Sequence, residues 1–583
     1  MSAERDRQVD GGYIAMMFAV LVPMLFAIAA IVIDVGNWYS TAAAVQRAAD
    51  AAALGGVPYM PADFSSASTQ ALNAAAQNGW SSSATTTITP SAVSGQPSEL
   101  MVTITTKVTN SLGQFFGMPT ETITRSAIAS YQAPLAMGSP CNDYGNAPNT
   151  GTSGGSLAAT NCTTSSGFWG NVGSYKALKS YGDAYQDGNC SNGISDNCSG
   201  TNSDLSSNGY YYTVTLTHAV ANLQIQAFDP SFAYVGDTCT ATTIAPTSGS
   251  QPTAAKNDYN YSWNTGHTAT TAQKENTNLY QSGASNAYCT GDQLFSDVSP
   301  QTPPDTTFTI RNPTSTSNAW DPTTFPVNTA CQATDANGNV MSGVTNGGVS
   351  TFTGFNGDLF TALDEYNTNG TVKAGYKAAV AATFRQWVTL CTISNAQPGT
   401  YFIQIQTNAA NDNANGDGHN RFSLRATSGN TSTDTTLSIS GYTFMGIYAN
   451  LPSADTTFYL TRVPSAAQGQ ILDLRFFDIG DSNGSGTITV HPPSDSNVGA
   501  FSNCTGLGVT VGALTGCSIP ANSSYNGKWQ TIQVPIPANY SCNDSSSSGC
   551  WVTLEYNYGA GNQPSDTTSW SASIEGSPVR ITQ

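Results

Sequence analysis

The stretch from Gly11 to Ile33, GGYIAMMFAVLVPMLFAIAAIVI, constrains this chain most, because it carries no charged side chain. As a helix rising about 1.5 Å per residue it is about 34 Å long, and a bilayer's hydrocarbon core is about 30 Å thick. A rod apolar on every side is costly to leave in water. The run therefore predicts a transmembrane helix over 13–33 and a cytoplasmic tail over 1–12, with the rest of the chain on the far side. Arg5 and Arg7 in the tail are the residues that the positive-inside rule counts, so the N-terminus is expected in the cytoplasm. The competing reading is a cleaved signal peptide with Ala27-Ile28-Ala29 as its A-x-A site. The run is longer than the usual signal core of roughly 7–15 residues, which favours an anchor.

The helix is expected to continue through Ser40–Leu54, STAAAVQRAADAAAL, and to stop at Gly55-Gly56 with Pro58 beyond. Alanine is the best helix former, and paired glycine followed by proline is a stop signal. Val45, Ala48, Ala49, Ala52 and Ala53 form a stripe of small side chains that suits close packing, either on the chain's own domain or on a partner helix.

Beyond the run the chain is polar without being highly charged. Charged residues make up 10% of 583, and the formal net charge is −18. An acidic surface argues against nucleic acid or anionic lipid as a partner. The 26 Tyr, 22 Phe and 9 Trp supply enough large side chains for packed cores. All 12 cysteines lie between Cys141 and Cys550. An even count on one side of a membrane helix reads as disulfides in an oxidising compartment. Cys190/Cys198, Cys504/Cys517 and Cys542/Cys550 are close enough in sequence to staple local loops, whereas the pairing of the other six stays open. With no CxxC pair and 4 His in the chain, a zinc site finds few ligands.

The segment from Gly11 to Gly56 resembles the start of TadE/TadG-type Flp pilus-assembly proteins. The features that carry the resemblance are the glycine before the run, Pro23 inside it, the Asp34-Val35-Gly36 exit, the Trp38-Tyr39 pair and Gln46 to Leu54. The similarity extends through Ala74–Gly79, Met101–Val108, Phe115-Phe116-Gly117 and Thr122–Ser130, and so covers about 11–131. Pseudopilins of this type are similar to prepilins that carry Glu five residues after the cleavage glycine. Met17 stands there in this chain, so the resemblance points to the TadG-like branch, whose helix stays in the bilayer. That branch often carries a von Willebrand A domain with Asp-x-Ser-x-Ser after an apolar strand. The formal match, Asp544 to Ser548, has no such strand before it and reads as a loop between Cys542 and Cys550. Tad pilus-assembly components, or a second copy of the chain, are the partners implied.

Gly, Ser, Thr and Asn dominate from Tyr131 to Ser166, and 132–166 is expected to be a linker. Short alternating segments follow, among them Tyr211–Thr217, Leu223–Phe228, Thr307–Ile310, Tyr401–Gln406, Phe422–Arg425, Phe458–Val463, Ile471–Phe477, Thr487–Val490, Trp529–Val534 and Trp551–Tyr556. Period-2 alternation between turn-rich clusters signals β-sandwiches. Gly375–Trp387 is the one helical candidate in this region. Tyr211–Val214 with Leu223–Asp229 repeats in Phe458–Thr461 with Leu472–Asp478, which implies two related sandwiches over 167–440 and 441–583. The expected fold class is a single N-terminal transmembrane helix continuing into a small α+β module over 34–131, followed by a mainly-β ectodomain of two jelly-roll-like β-sandwich domains.

No HExxH or P-loop is present, and His218, His267, His419 and His491 have no motif neighbours. G-x-S-x-G occurs in form at 151–155 and 480–484, but neither lies between a strand and a helix as a nucleophile elbow does. The chain is expected not to be an enzyme; a hydrolase with an unrecognised site is the third reading. Calcium is the one metal the sequence suits. Asp412, Asn413, Asn415 and Asp417 form one loop of hard oxygen donors and glycine; Asp478, Asp481 and Asn483 form another; Asp335 to Asn339 is a third. The same clusters are also ordinary turns. Glycan is a further partner class, because Trp169, Trp263, Trp320 and Tyr259-Asn260-Tyr261 lie in polar stretches where rings can stack on sugars. The favoured expectation is a single-pass surface protein, TadG-like, structural or adhesive, with its ectodomain extracellular or periplasmic. The alternative is a carbohydrate-binding sandwich with structural calcium.

Overall fold

The computed structural model describes residues 6–60, 64–94, 96–131, 134–145, 168–191, 198–228, 293–294, 306–314, 317, 321–334, 338, 340, 349–351, 387–407, 418–428, 436–450, 455–480, 486–558, 565–575 and 579–582. The chain divides into two compact units. The first comprises Met1–Ala133, Asn318–Asp321 and Gly576–Gln583; the second comprises Pro134–Ser317 and Pro322–Glu575.

In the first unit one helix, α1, runs without a break from Asp6 to Gly56 and takes Pro23 in its course. It ends at the paired glycines, and a 3-10 turn over Val57–Tyr59 follows with Pro58 inside it. A second helix, α2 (Phe64–Gln77), leads to three antiparallel strands, β1 (Thr86–Val93), β2 (Gln96–Thr109) and β3 (Thr120–Tyr131). Ile88 faces Ile104, and Leu100 faces Ala129 across the ladder. Alternate residues of the sheet, Leu100, Val102, Ile104, Ala127 and Ala129, pack on Val45, Ala48, Ala49, Ala52 and Ala53 of α1 and on Ala67, Ala71 and Ala75 of α2. The stripe of small residues thus forms the core of its own module. A methyl buried contributes only roughly 0.8 kcal/mol, so the module relies on close approach along the whole stripe. Gly56 marks the closest point: a Cβ there would lie 2.5 Å from the Ala67 carbonyl oxygen and 2.5 Å from Leu100 Cδ2. A fourth strand, Val579–Ile581, closes the far edge of β3, with Val579 opposite Tyr131 and Ile581 opposite Ala129.

The second unit is built of strands in antiparallel ladders. In order they are Ala136–Met137 (β4), Asp143–Tyr144 (β5), Phe168–Gly173 (β6), Tyr210–Leu216 (β7), Val220–Phe228 (β8), Gln293–Leu294 (β9), Thr307–Arg311 (β10), Val349–Thr351 (β11) and Trp387–Ala396 (β12). There follow Gly399–Gln406 (β13), Gly418–Thr427 (β14), Leu437–Tyr442 (β15), Phe444–Asn450 (β16), Asp455–Arg462 (β17), Ile471–Phe477 (β18) and Gly486–His491 (β19). The last are Thr505–Gly508 (β20), Gly512–Ala513 (β21), Ser518–Ala521 (β22), Trp529–Pro535 (β23), Trp551–Asn557 (β24) and Ser565–Ile574 (β25); Val579–Ile581 of the first unit is β26.

Neighbour to neighbour, one sheet runs β11-β10-β13-β7-β15-β4-β17-β24-β19-β22. The other runs β12-β8-β14-β6-β16-β25-β18-β23-β20-β21. Their inner faces share one continuous apolar core from Leu135 to Ala572. Rings from the two sheets meet inside it: Tyr212 with Phe422 at 5.9 Å, Phe168 with Phe458 at 5.5 Å, Tyr556 with Trp570 at 6.4 Å. The arrangement is sandwich-like, and β7 with β8, like β17 with β18, passes from one sheet to the other.

Two sequence expectations change. The boundary drawn at 440/441 falls inside β15, and β4 and β6 carry the two sheets across it: β4 pairs with both β15 and β17, β6 with both β14 and β16. The stretches 167–440 and 441–575 therefore share one core. Part of the expected linker, 134–145, holds β4 and β5, with Met137 and Tyr144 fully buried. The helical candidate Gly375–Trp387 lies outside the described residues except for Trp387, which opens β12.

Disulfides join Cys190–Cys198, Cys504–Cys517 and Cys542–Cys550, and a longer one joins Cys331–Cys391. Cys141 is also in a disulfide, and no described cysteine is free.

Candidate functional site

Among the described residues the first part of α1 is the longest run of exposed large apolar side chains. Tyr13, Met16, Phe18, Val20, Met24, Leu25, Phe26, Ile31 and Ile33 are all exposed, and Met17 is 47% exposed. The helix is long and apolar enough to cross a membrane. Its amphipathic stripe begins only beyond Asp34, where Ala42 and Val45 turn into the module's core.

The change from apolar rod to packed helix happens at Asp34, and the structure builds a collar there. The loop between β2 and β3 folds back onto the helix. Its backbone amides point at the Asp34 carboxylate: Ser111 N–H donates to Oδ1 at 2.8 Å, Leu112 N–H to Oδ2 at 3.1 Å and Gly113 N–H to Oδ2 at 2.6 Å. Burial tends to raise the carboxyl's pKa, but the hydrogen bonds from Gly113, Ser111 and Leu112 outweigh it and hold the pKa below the usual carboxylate range. One helical turn on, Trp38 Nε1 donates to Asn110 Oδ1 at 2.7 Å, and Asn110 Nδ2 donates to the Met118 carbonyl at 2.8 Å. The loop closes through a 3-10 turn over Gly113–Phe116, which Gly117 ends at φ +80°. Higher on the helix, Gln46 Nε2 reaches the Ser126 carbonyl at 3.1 Å. The collar fixes a loop at the level where the apolar run stops.

The other candidates lie in the second unit. Of the calcium loops, Asp412, Asn413, Asn415, Asp417, Asp481 and Asn483 lie outside the described residues, as does most of Asp335 to Asn339. Asp478 is described: it is buried, sits at φ +62° and accepts a hydrogen bond from Gly527 N–H. Nearby, Asp566 accepts from Gly480 N–H at 2.9 Å. Cys542, Asp544 and Cys550 cluster at metal-ligand distance, but their sulfurs are joined to each other and offer no thiolate. Asp544 instead accepts from Ser465 N–H, so Asp544 to Ser548 is a disulfide-closed loop.

Of the histidines, His218 lies on an exposed turn beside Thr217, and His267 is outside the described residues. His419 is fully buried in β14, with Nε2 2.9 Å from Asp187 Oδ1. Burial, then the Arg421 charge, pushes its pKa well below the ordinary value. Arg421 is buried beside it, its guanidinium 3.9 Å from the Tyr448 ring centre. His491 pairs with Glu555 at 2.6 Å across β19 and β24, both partly exposed, and His491 also lines an open cleft of about 640 Å³ with Thr457, Ser494 and Thr553. The pair is a cross-strand contact on the outward face of the sheet. The proposed sugar platform Trp169 is wholly buried and stacks on Phe228 at 6.2 Å, so it presents no ring to a ligand. Trp263, Trp320, Tyr259 and Tyr261 lie outside the described residues.

An apolar helix left bare over one length and packed into a small α+β module over the next defines the class: a module carried on a helix suited to a bilayer. The family follows from the same residues. Residues 12–76 match the family described as "Putative Flp pilus-assembly TadE/G-like", so this part of the chain is similar to that family. No curated protein and no solved structure matches the chain. Sequence reasoning marked Asp34 and Phe115 as features of the resemblance but gave them no role, and it passed over Asn110. The available signal was an aspartate directly after an uncharged run together with a second uncharged stretch between Lys107 and Glu121.

Proposed function

We propose that Tyr13–Ile33 crosses a membrane once, with 1–12 in the cytoplasm, and that the chain serves a structural or adhesive, non-enzymatic role in Flp pilus assembly or in the cell envelope. The observation that carries this is the bare apolar length of α1, which ends abruptly at a collared aspartate. The TadE/G-like match over 12–76 supports the pilus association. The disulfides, all beyond residue 133, support an extracellular or periplasmic place for the second unit. Tad pilus-assembly components or further copies of the chain are the partners of this reading.

Protease shaving of intact cells, with mass mapping of what stays behind, tests it. The expected result is release of peptides from the second unit while 1–33 remains with the membrane. A mature N-terminus near Ala30 in the medium would replace the anchor with a cleaved signal and overturn the reading.

A further inference from the structure

We propose that the β2–β3 loop is a second membrane contact: Phe115 and Met118 enter the headgroup–acyl boundary of the leaflet from which α1 emerges. The inference rests on the reading of Tyr13–Ile33 as a span.

Phe115 is 76% exposed and Met118 54%, although both belong to a loop whose backbone is tightly held. The loop has no charge from Val108 to Thr120. What holds it is the side chain of Asp34, the first residue after the apolar run. In an α-helix the Cα–Cβ bond leans toward the N-terminus, so the Asp34 carboxylate reaches back toward the span. The amides of Ser111, Leu112 and Gly113 bind it there. The loop is therefore fixed at the depth where hydrocarbon gives way to headgroups, and its apolar side chains follow two to five residues later. Tyr39, 72% exposed one turn above, and Trp38, with its indole N–H on Asn110, complete an aromatic level of the kind that membrane interfaces favour. The occupant of this surface is phospholipid, because the patch continues an apolar surface that already has lipid as its solvent.

The orientation of the module follows. β2 and β3 run from the loop end at Thr109 and Thr120 to the far end at Gln96 and Tyr131. The turn at Ser94 is thus about 40 Å from the loop, at about 3.3 Å per residue of strand.

The test uses the full chain in lipid nanodiscs, with single cysteines carrying an environment-sensitive fluorophore and with lipids bearing a nitroxide near the headgroup. Labels go on Phe115→Cys, on Met118→Cys with Phe115 intact, on Ile31→Cys inside the span and on Ser94→Cys. The expected result is a blue shift and nitroxide quenching at 115 and 118, and neither at 94. Quenching at 31 without quenching at 115 and 118 overturns this proposal alone. No quenching at 31 overturns the membrane reading with it. Energy transfer between labels at 115 on separate copies, in place of lipid quenching, would assign the surface to a second copy and also overturns the proposal.

Discussion

Two glycines of α1 should respond in opposite directions to the same added methyl. Gly36 has nothing within 4 Å of a built Cβ, whereas at Gly56 the Cβ meets a backbone oxygen at 2.5 Å, Leu100 Cδ2 at 2.5 Å and Ala71 Cβ at 2.9 Å. Gly56 has φ −89° and ψ −37°, a right-handed conformation that alanine accepts, so any cost there is steric. Alanine is better than glycine in a helix by about 1 kcal/mol, which is the gain expected for Gly36→Ala. Overpacking costs about 1–3 kcal/mol. At Gly56 it cannot be relieved by turning Leu100 aside, because the Ala67 carbonyl belongs to the backbone of α2. Gly56→Ala should therefore loosen the α1–α2 contact. Hydrogen exchange of the full chain in nanodiscs, followed on peptides covering Phe64–Gln77, reads this directly. A loss of about 1.4 kcal/mol is a tenfold loss of protection. If Gly56→Ala protects these amides as well as Gly36→Ala does, the close approach that defines the module's core is refuted.

Two further outcomes concern the second unit. Burial pushes Asp143 up to about 6, partly offset by Arg425 opposite it on β14. An acid that is harder to ionise when folded stabilises fully below its unfolded pKa near 3.8, and that stability is lost as pH rises through 6. The loss is on the order of 3 kcal/mol, and Asp143→Asn should remove it, so the variant and the parent differ in pH slope between pH 4 and 6 in calorimetric melts; parallel curves would count against the buried acid. The disulfide Cys331–Cys391 spans a separation of 60 and Cys542–Cys550 one of 8. Loop-closure entropy then gives about 4 and about 2.5 kcal/mol respectively, so the paired alanine substitution at 331 and 391 should lower the melting temperature more, and equal drops would reject that ordering.

What could be read from residues alone follows the physics of each element. Segments such as Ile471–Phe477 and Trp551–Tyr556 face the core on one side only, so their alternation is visible and the strands fall where expected. β14 is buried along its whole length yet contains His419, Asn420, Arg421 and Arg425; its polar groups meet Asp187, Thr306, Thr567 and Gln226, all distant in sequence, which no local pattern reveals. β6, FWGNVG, hides for the same reason, and its Gly170 is pressed against Phe422. The break at 440/441 rests on the repeat of two strand pairs, but Gly441 pairs with Met137 and Tyr212 inside β15. The collar is the clearest case. The family features around Asp34 were legible, but its three amide partners lie 77 to 79 residues away, a separation that only the folded chain closes.

The pairing of β26 with β3 has a mechanical consequence. Tyr131 and Val579 stand opposite each other at one end of the small sheet, and the whole second unit is the chain between them. Two strands of the small sheet, rather than one, thus lead into that unit. A pull on it divides between two adjacent attachment points, and a single backbone cut within it leaves each fragment still fastened. The long strand, backed by β2 along its full length, resists shear through many hydrogen bonds, whereas the three-residue strand resists through few. Under load the short strand is the weak link, the first tether to slip, and α1 with β3 carries what remains.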